Sequence, residues 1–170
     1  NTPEKGVVGI PFFDGYVEKA ALEFLDTAAK TPDKPFFINV NFMKVHQPNL
    51  PAPEFQHKSL SKSKYADSVV ELDTRIGRIL DKLRSLGLDK NTLIIFTSDN
   101  GGEAVRGKKG GGLVPGVTSV APLRAGKSHL YEGGLRVPLI VSFPGITPPG
   151  SVCDVPMNGL DWYPTLLAIA

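Results

Sequence analysis

The sequence contains one cysteine and three histidines among its 170 residues, and it has no long apolar run. Because Cys153 is alone, the chain forms no internal disulfide and no cysteine metal cluster, and a buried, inert thiol is predicted. No stretch of about 18 apolar residues occurs, so no membrane-spanning helix is predicted. The formal net charge of +2 is too small to indicate nucleic-acid binding or attraction to a membrane.

The bulk composition is that of an ordinary globular protein. A hydrophobic content of 41% and a length of 170 residues suit one domain with a sizeable core. The chain opens on Asn1-Thr2-Pro3 rather than on Met, and its final apolar helical stretch has no terminating signal. We therefore expect a piece of a longer protein.

Apolar residues at helical spacing predict three helices, over residues 14–31, 63–86 and 162–170. Asp14, Ser63 and Asp161 are suitable N-cap residues for them. Gly87 fits the left-handed position that follows a helix end. The charged residues of the second helix are expected on a solvated face.

Short apolar segments predict strands over residues 36–42, 88–97 and 139–143, with an edge strand over 151–155. The apolar run at 93–96 lacks polar alternation and the segment at 36–42 has an apolar start, which is typical of strands buried on both faces of a parallel sheet. Their alternation with helices predicts an α/β fold, with a mostly parallel sheet flanked by helices. Residues 101–126 are glycine-rich and predict a long irregular loop, a kind of loop that is usually functional or disordered.

The strand over 88–97 leads into Ser98-Asp99-Asn100-Gly101-Gly102. In an open α/β sheet, ligands bind at the carboxyl ends of the strands. A carboxylate and an amide carbonyl are hard oxygen ligands of the kind that calcium or magnesium prefers. The same residue types also dominate ordinary turns, so a plain turn remains an alternative at this point.

Two further polar residues stand in separate loops. His46 follows the strand over 36–42, and Lys127 lies in the glycine-rich region. With a metal at Asp99 and Asn100, they would suit an anionic ester, because cations neutralise oxyanion charge and an imidazole moves a proton. Taken singly, His46 also fits a structural hydrogen-bonding role and Lys127 a solvent-facing one. Spacing alone does not show that these loops meet.

The longer motifs are more specific. Thr-Ser-Asp-Asn-Gly-Gly at 97–102, paired with Leu-Arg-Ala-Gly-Lys-Ser-His-Leu-Tyr-Glu-Gly-Gly-Leu-Arg-Val-Pro at 123–138, closely resembles the type I sulfatases. His-Gln-Pro at 46–48, Phe-Pro-Gly at 143–145 and Leu-Asp-Trp-Tyr-Pro-Thr-Leu-Leu at 160–167 follow in the family's order. The resemblance covers residue 14 to the end. It implies an alkaline-phosphatase-like fold, hydrolysis of sulfate esters or sulfamates, and a periplasmic, extracellular or lysosomal location.

The resemblance also implies roles for individual residues. Asp99 and Asn100 match two ligands of the family's calcium ion, Lys127 matches a lysine that contacts the sulfate oxygens, and His46 matches a histidine near the sulfate and the leaving-group oxygen. The implied partner is a sulfated small molecule or glycan, with neither nucleic acid nor membrane. Two further expectations concern the same loop: Glu132 and Arg136 form a structural ion pair, and His129 has no assigned role.

One departure from the family pattern limits what the chain does alone. Sulfatases use a formylglycine made within a Cys/Ser-x-Pro/Ala-x-Arg motif, and the residues after Cys153 do not fit it. The family's nucleophile and its paired aspartate ligands lie upstream of the matched motifs. We therefore interpret residues 1–170 as the middle-to-late part of one sulfatase catalytic domain. The intact parent is expected to hydrolyse a sulfate ester by a calcium-assisted formylglycine mechanism, and the isolated chain is expected to be inactive.

Two alternatives remain. The first is a non-catalytic binder of sulfated or phosphorylated ligands, and the second is a relative that hydrolyses phosphate or phosphonate esters. Relatives of the latter kind generally bind two metals and need more ligands than three histidines readily supply. Sheet edges left without neighbour strands would also favour self-association.

Overall fold

The structure, a computed structural model, describes residues 9–107 and 113–170. The described elements, in chain order, are α1 (Ile10–Ala28), α2 (Lys64–Ser85), β1 (Ile94–Thr97), β2 (Val105–Gly107), β3 (Leu113–Pro115), α3 (Glu132–Leu135), β4 (Leu139–Ser142) and α4 (Gly159–Ile169). Helices α1 and α2 pack against each other, and the strands form two separate pairs, β1 with β4 and β2 with β3.

Helix α1 begins earlier than the sequence predicted. It starts at Ile10 with Pro11 in its first turn, where the missing N–H of proline has no cost. Asp14 is therefore not an N-cap. Its fully buried carboxylate instead accepts hydrogen bonds from the backbone N–H groups of Met43 at 2.7 Å and Lys44 at 2.9 Å. This aspartate therefore holds a loop that is distant in the sequence and does not cap the helix.

Helix α2 matches its predicted limits closely. The Ser63 hydroxyl accepts a hydrogen bond from the Ala66 backbone N–H at 3.2 Å, which confirms the predicted N-cap. Gly87 has a φ of 70°, as expected for the residue after a helix end. The prediction of a solvated charged face was wrong in part, because Asp67, Glu71 and Arg75 are buried. These side chains have hydrogen-bond or ion-pair partners on other segments of the chain.

Five buried charged residues lie between α1, α2 and the loop at 43–52, and we call them the buried charge cluster: Asp14, Glu18, Lys44, Glu71 and Arg75. The Arg75 guanidinium lies 2.8 Å from Glu71 and also pairs with Glu18. Burial opposes the charge on Arg75, but these hydrogen-bonded carboxylates outweigh that effect and raise the pKa of Arg75. The cluster is stable in the interior because its charges are paired and hydrogen-bonded.

The apolar part of the core lies beside this cluster and is small. Ala21 and Leu25 of α1, Leu83 of α2, and Ala52 and Phe55 of the connecting segment are buried. The Phe55 ring also lies 5.2 Å from the centre of the Arg75 guanidinium, a cation–π contact. The apolar and charged parts of the interior therefore share the α1–α2 interface.

The predicted mostly parallel sheet is not found among the described residues. Strand β1 pairs antiparallel with β4, with Ile94 opposite Ser142 and Thr97 opposite Leu139. Strands β2 and β3 form a second antiparallel pair. The parallel arrangement was inferred from burial on both faces, but Phe96 is 39% exposed, so one face of β1 is open. Antiparallel sheets tolerate one open face, whereas parallel sheets are covered on both.

The strand predicted over 88–97 is shorter, because Asp89–Asn91 form a 3-10 helix before β1, and two other strand predictions were wrong. Residues 36–42 form no strand, because no described segment provides the ladder hydrogen bonds that a strand requires. Residues 151–155 are exposed and irregular, and the thiol of Cys153 is exposed rather than buried. The predicted irregular loop at 101–126 instead contains β2 and β3, and its residues 108–112 lie outside the described part of the chain.

Helix α4 begins at Gly159, with Asn158 rather than Asp161 as its N-cap. The Asn158 side-chain oxygen Oδ1 accepts from Leu160 N–H at 2.8 Å, and the Asp161 carboxylate accepts from Asn158 N–H at 2.7 Å. This reciprocal pair is a capping box, in which the acidic residue occupies the third helical position. Across residues 9–107 and 113–170, no helix has the length and apolar character needed to cross a membrane.

The buried carboxylate of Asp67 makes one stability prediction. The Ser59 side chain and the backbone N–H groups of Ser59 and His57 lower the pKa of Asp67 below its ordinary value of 3.8. A lowered folded-state pKa gives stability that is present above the unfolded-state pKa and is lost as the pH falls through the folded-state value. Asp67→Asn is therefore expected to lower the free energy of unfolding at neutral pH and to flatten its decline in acid.

The measurement is urea unfolding of the full-length protein from neutral pH down to about pH 2. The matched control is Asp73→Asn, an exposed aspartate of the same helix. Equal acid sensitivity in Asp67→Asn and in the unsubstituted protein would contradict the assignment.

Candidate functional site

The segment that follows β1 carries Asp99 and Asn100 and is held by two side-chain hydrogen bonds. The Thr97 hydroxyl donates to the Pro138 carbonyl at 3.1 Å, and the Ser98 hydroxyl donates to the Asn100 carbonyl at 2.9 Å. The Asp99 side chain is exposed and Asn100 is half-buried. The backbone of this turn is therefore fixed, while its carboxylate remains accessible to solvent.

The loop that carries Lys127 lies against the glycines that follow Asn100. Gly101 N–H donates to the Gly134 carbonyl at 3.0 Å, and Lys127 N–H donates to the Gly102 carbonyl at 2.9 Å. A Cβ atom on Gly101 would lie 1.9 Å from the Gly133 carbonyl oxygen, so this close approach requires glycine. The structure thus brings the Asp99–Asn100 segment and the Lys127 loop together through their backbones.

The backbone on both sides of Lys127 is in a sparsely populated conformation. Ala125 has a φ of 63° and Ser128 a φ of 69°, a region that residues with a side chain rarely adopt. His129 Nδ1 lies 3.0 Å from the Lys127 carbonyl, which only accepts, so Nδ1 carries the proton of this bond. Such strained residues cluster at functional sites. The role of His129 in holding Lys127 had no signal in the sequence.

Two further contacts stabilise the same loop. The Arg124 guanidinium lies 3.8 Å from the centre of the Tyr131 ring, a cation–π contact. Arg136 lies 3.9 Å from Glu132 in α3, which confirms the expected ion pair. Both of these side chains are more than half exposed, so their pairing contributes little to stability.

His46 lies in the exposed loop that follows residues 36–42. Its backbone N–H donates to the Met43 carbonyl at 2.9 Å, and its ring Nδ1 lies 2.6 Å from the Gln47 carbonyl. Because a carbonyl only accepts, Nδ1 carries a proton in this bond. Nε2 takes no part in this bond.

Among the residues that the structure describes, hydrogen bonds join the Asp99–Asn100 segment to the Lys127 loop but not to His46. No hydrogen bond or ion pair within the described ranges links His46 to Asp99 or Lys127. Helix α2 contacts the segment that precedes the Lys127 loop, because the Tyr65 hydroxyl donates to the Thr118 hydroxyl at 3.3 Å. The Thr118 methyl group also lies 2.8 Å from the position of a Cβ on Gly102. The convergence of His46 with the other two residues stays a prediction.

Asp99 and Asn100 have the type of donor atom that calcium binds, but two residues are too few to complete a calcium site. Within the described part of the chain, no group of three or more His, Cys, Asp or Glu side chains is arranged to hold a metal ion. The Asp99 carboxylate and the Asn100 amide oxygen are hard donors, as calcium requires, but calcium takes about six to eight oxygen ligands. These two residues would therefore form part of a calcium site and not the whole of it.

With this geometry described, comparison with known proteins defines the class. The sequence model of the family described as Sulfatase matches residues 4–170, so the chain belongs to the sulfatase family. Steryl-sulfatase of Rattus norvegicus is 35% identical over 162 residues, which cover 93% of this chain and 27% of that protein. Arylsulfatase A of Homo sapiens is 37% identical over 144 residues, which cover 84% and 26%. The chain thus spans about a quarter of the length of these relatives.

Solved structures show the same relationship. The structure of Ps i-CgsB in complex with k-i-k-neocarrahexaose matches with a TM-score of 0.78 at 30% identity, covering 92% of this chain and 33% of that chain. The PsFucS1 sulfatase from Pseudoalteromonas sp. matches with a TM-score of 0.67 at 31% identity, covering 80% and 25%. These likenesses confirm the predicted α/β class and the alkaline-phosphatase-like fold of sulfatases, although the described residues themselves contain only antiparallel strand pairs.

Proposed function

We propose that the full-length protein containing this chain hydrolyses a sulfate ester by a calcium-assisted formylglycine mechanism. The observation that carries the proposal is the attachment of the Lys127 loop to the segment after Asn100, through Lys127 N–H and the Gly102 carbonyl, in a chain of the sulfatase family. This attachment puts an ammonium-bearing residue next to a segment with two oxygen donors. Such a combination suits a doubly charged ester group.

Each of the four candidate site residues has a definite part in this proposal. Lys127 would bind the sulfate oxygens and oppose the negative charge that develops on them. His46 would hold or transfer a proton at Nε2, next to the leaving-group oxygen, because its Nδ1 is held by the Gln47 carbonyl. Asp99 and Asn100 would hold the calcium ion, which when bound supplies positive charge at a sulfate oxygen. The formylglycine nucleophile would come from a segment outside these 170 residues.

The substrate class follows the family rather than any one relative. The relatives at similar identity include a steryl-sulfatase, an arylsulfatase A and an N-acetylgalactosamine-6-sulfatase, so their names point to different sulfated compounds. We propose a sulfated small molecule or glycan as substrate, and a periplasmic, extracellular or lysosomal location. Self-association through the open edges of the β1–β4 pair is a further part of the proposal.

Activity and metal dependence can be tested together. The full-length protein is expected to hydrolyse a chromogenic aryl sulfate, to lose this activity after treatment with a calcium chelator, and to regain it when calcium is restored. Asp99→Asn is expected to raise the calcium concentration needed for half-maximal activity, because an amide oxygen lacks the charge of a carboxylate. Asp81→Asn is the matched control, since this exposed aspartate pairs only with Arg84 among the described side chains.

Three outcomes would contradict parts of the proposal. Hydrolysis by the isolated 170-residue chain would refute its expected inactivity. Full activity after exhaustive chelation would refute the role of calcium. Saturable binding of the aryl sulfate by the full-length protein without turnover would favour a non-catalytic binder.

A further inference from the structure

The loop that carries His46 is attached to the rest of the protein at both of its ends by buried carboxylates. At its start, the Asp14 oxygens accept from the N–H groups of Met43 at 2.7 Å and Lys44 at 2.9 Å. Met43 in turn accepts from His46 N–H at 2.9 Å. One carboxylate of α1 therefore fixes the turn from which the His46 ring projects.

The end of the loop is held in the same way from the other helix. The Glu71 carboxylate of α2 accepts from the N–H of Ala52 at 2.8 Å, and both residues have no exposed surface. Residues 43–52 are thus hydrogen-bonded to a carboxylate of α1 at one end and to a carboxylate of α2 at the other. The position of His46 relative to the helices depends on both attachments.

A single buried cation connects the two attachments. The Lys44 ammonium lies 3.6 Å from the Asp14 carboxylate and 3.7 Å from that of Glu71. On the far side, Arg75 lies 2.8 Å from Glu71 and pairs with Glu18, which extends the network across the helix interface. Lys44 therefore joins the two attachments in one network of buried charges.

The composition of this cluster favours positioning over simple stabilisation. Buried ion pairs stabilise a fold no better than apolar side chains of similar volume, because both charges lose their hydration. Here Asp14 and Glu71 direct three of their hydrogen bonds to backbone N–H groups of one loop. A reacting group misplaced by about 1 Å can cost about 10²-fold in rate, so a rigid attachment of the His46 loop has a catalytic use.

We infer that Asp14 and Glu71, bridged by Lys44, are positioning residues that fix the His46 loop for proton transfer. The inference rests on the proposed sulfatase function. Neither carboxylate touches His46, and each acts on it only through the loop backbone.

The decisive experiment is a double-mutant cycle in the full-length protein. Asp14→Asn and Glu71→Gln keep the side-chain shape but replace one carboxylate oxygen with an NH2 group, which donates and cannot accept, and remove the negative charge. Each is expected to lower kcat for an aryl sulfate about 10²-fold, with little change in KM. In a His46→Ala background, the same substitutions are expected to have almost no further effect, because their action passes through His46.

Glu23→Gln is the matched control, since this exposed carboxylate of α1 pairs with Lys19 at 3.7 Å. It is expected to leave kcat unchanged in both backgrounds. A thermal unfolding curve of every variant checks that the protein is folded at the assay temperature. Equal losses with and without His46, or unchanged kcat in Asp14→Asn and Glu71→Gln, would overturn the inference while leaving sulfate hydrolysis intact.

A second readout does not depend on activity. Amide hydrogen exchange of the full-length protein is expected to be faster at Met43 and Lys44 in Asp14→Asn, and at Ala52 in Glu71→Gln. Unchanged exchange at these amides would overturn the inference. If the unsubstituted protein hydrolyses no sulfate ester, the proposed function fails, and the exchange measurement still decides whether the two carboxylates fix the loop.

Discussion

Replacing His46 by alanine, or Lys127 by methionine, is expected to lower kcat of the full-length protein strongly. Loss of a positioned proton carrier costs about 10²–10⁴-fold, which is the expectation for His46→Ala. Loss of one group that stabilises an oxyanion costs about 10²–10³-fold, which is the expectation for Lys127→Met. Steady-state kinetics with an aryl sulfate measure both effects.

The controls for these substitutions come from the same chain. His57→Asn removes an exposed imidazole and keeps a residue that tolerates the φ of 61° at this position. Lys58→Met removes an exposed ammonium outside the site. Both are expected to keep the kcat of the unsubstituted protein. A His46→Ala or Lys127→Met variant that is as active as its control would remove that residue from the mechanism.

The second large effect is expected from Gly101→Ala. The added Cβ would lie 1.9 Å from the Gly133 carbonyl oxygen and 2.9 Å from the Gly134 Cα, and both are backbone atoms. Overpacking of this kind costs about 1–3 kcal/mol of stability, and here the only relief is separation of the Lys127 loop from the segment after Asn100. We therefore expect both a lower free energy of unfolding and a loss of activity.

Gly77→Ala is the matched control because no atom beyond the adjoining backbone of its own helix and its chain neighbours lies within 4 Å of the added Cβ, and the position is inside α2. Alanine in a helix interior is expected to raise stability by up to about 1 kcal/mol. Urea unfolding and steady-state kinetics of both variants make the comparison. Full activity in Gly101→Ala would show that the attachment of the loop does not position Lys127.

Local signals predicted helix α2 well, the limits of α1 less closely, and the strands poorly. Helix α2 was predicted to within a residue or two because its cap at Ser63 and its terminator at Gly87 are local features. The segment at 36–42 was predicted as a strand from its apolar content, but a strand exists only where another segment pairs with it. Pairing partners are distant in the sequence, so no local pattern reveals them.

Of the candidate site, the sequence itself determined the chemistry: two oxygen donors at Asp99 and Asn100, an ammonium at Lys127 and an imidazole at His46, in motifs that place the chain in the sulfatase family. Only the tertiary structure decided how these groups are held. It showed that glycine backbones attach the Lys127 loop, and that Asp14, predicted as a helix cap, instead holds the loop of His46. The reason is physical, because side-chain chemistry belongs to each residue, whereas a hydrogen bond between residues 29 positions apart exists only once the chain has folded.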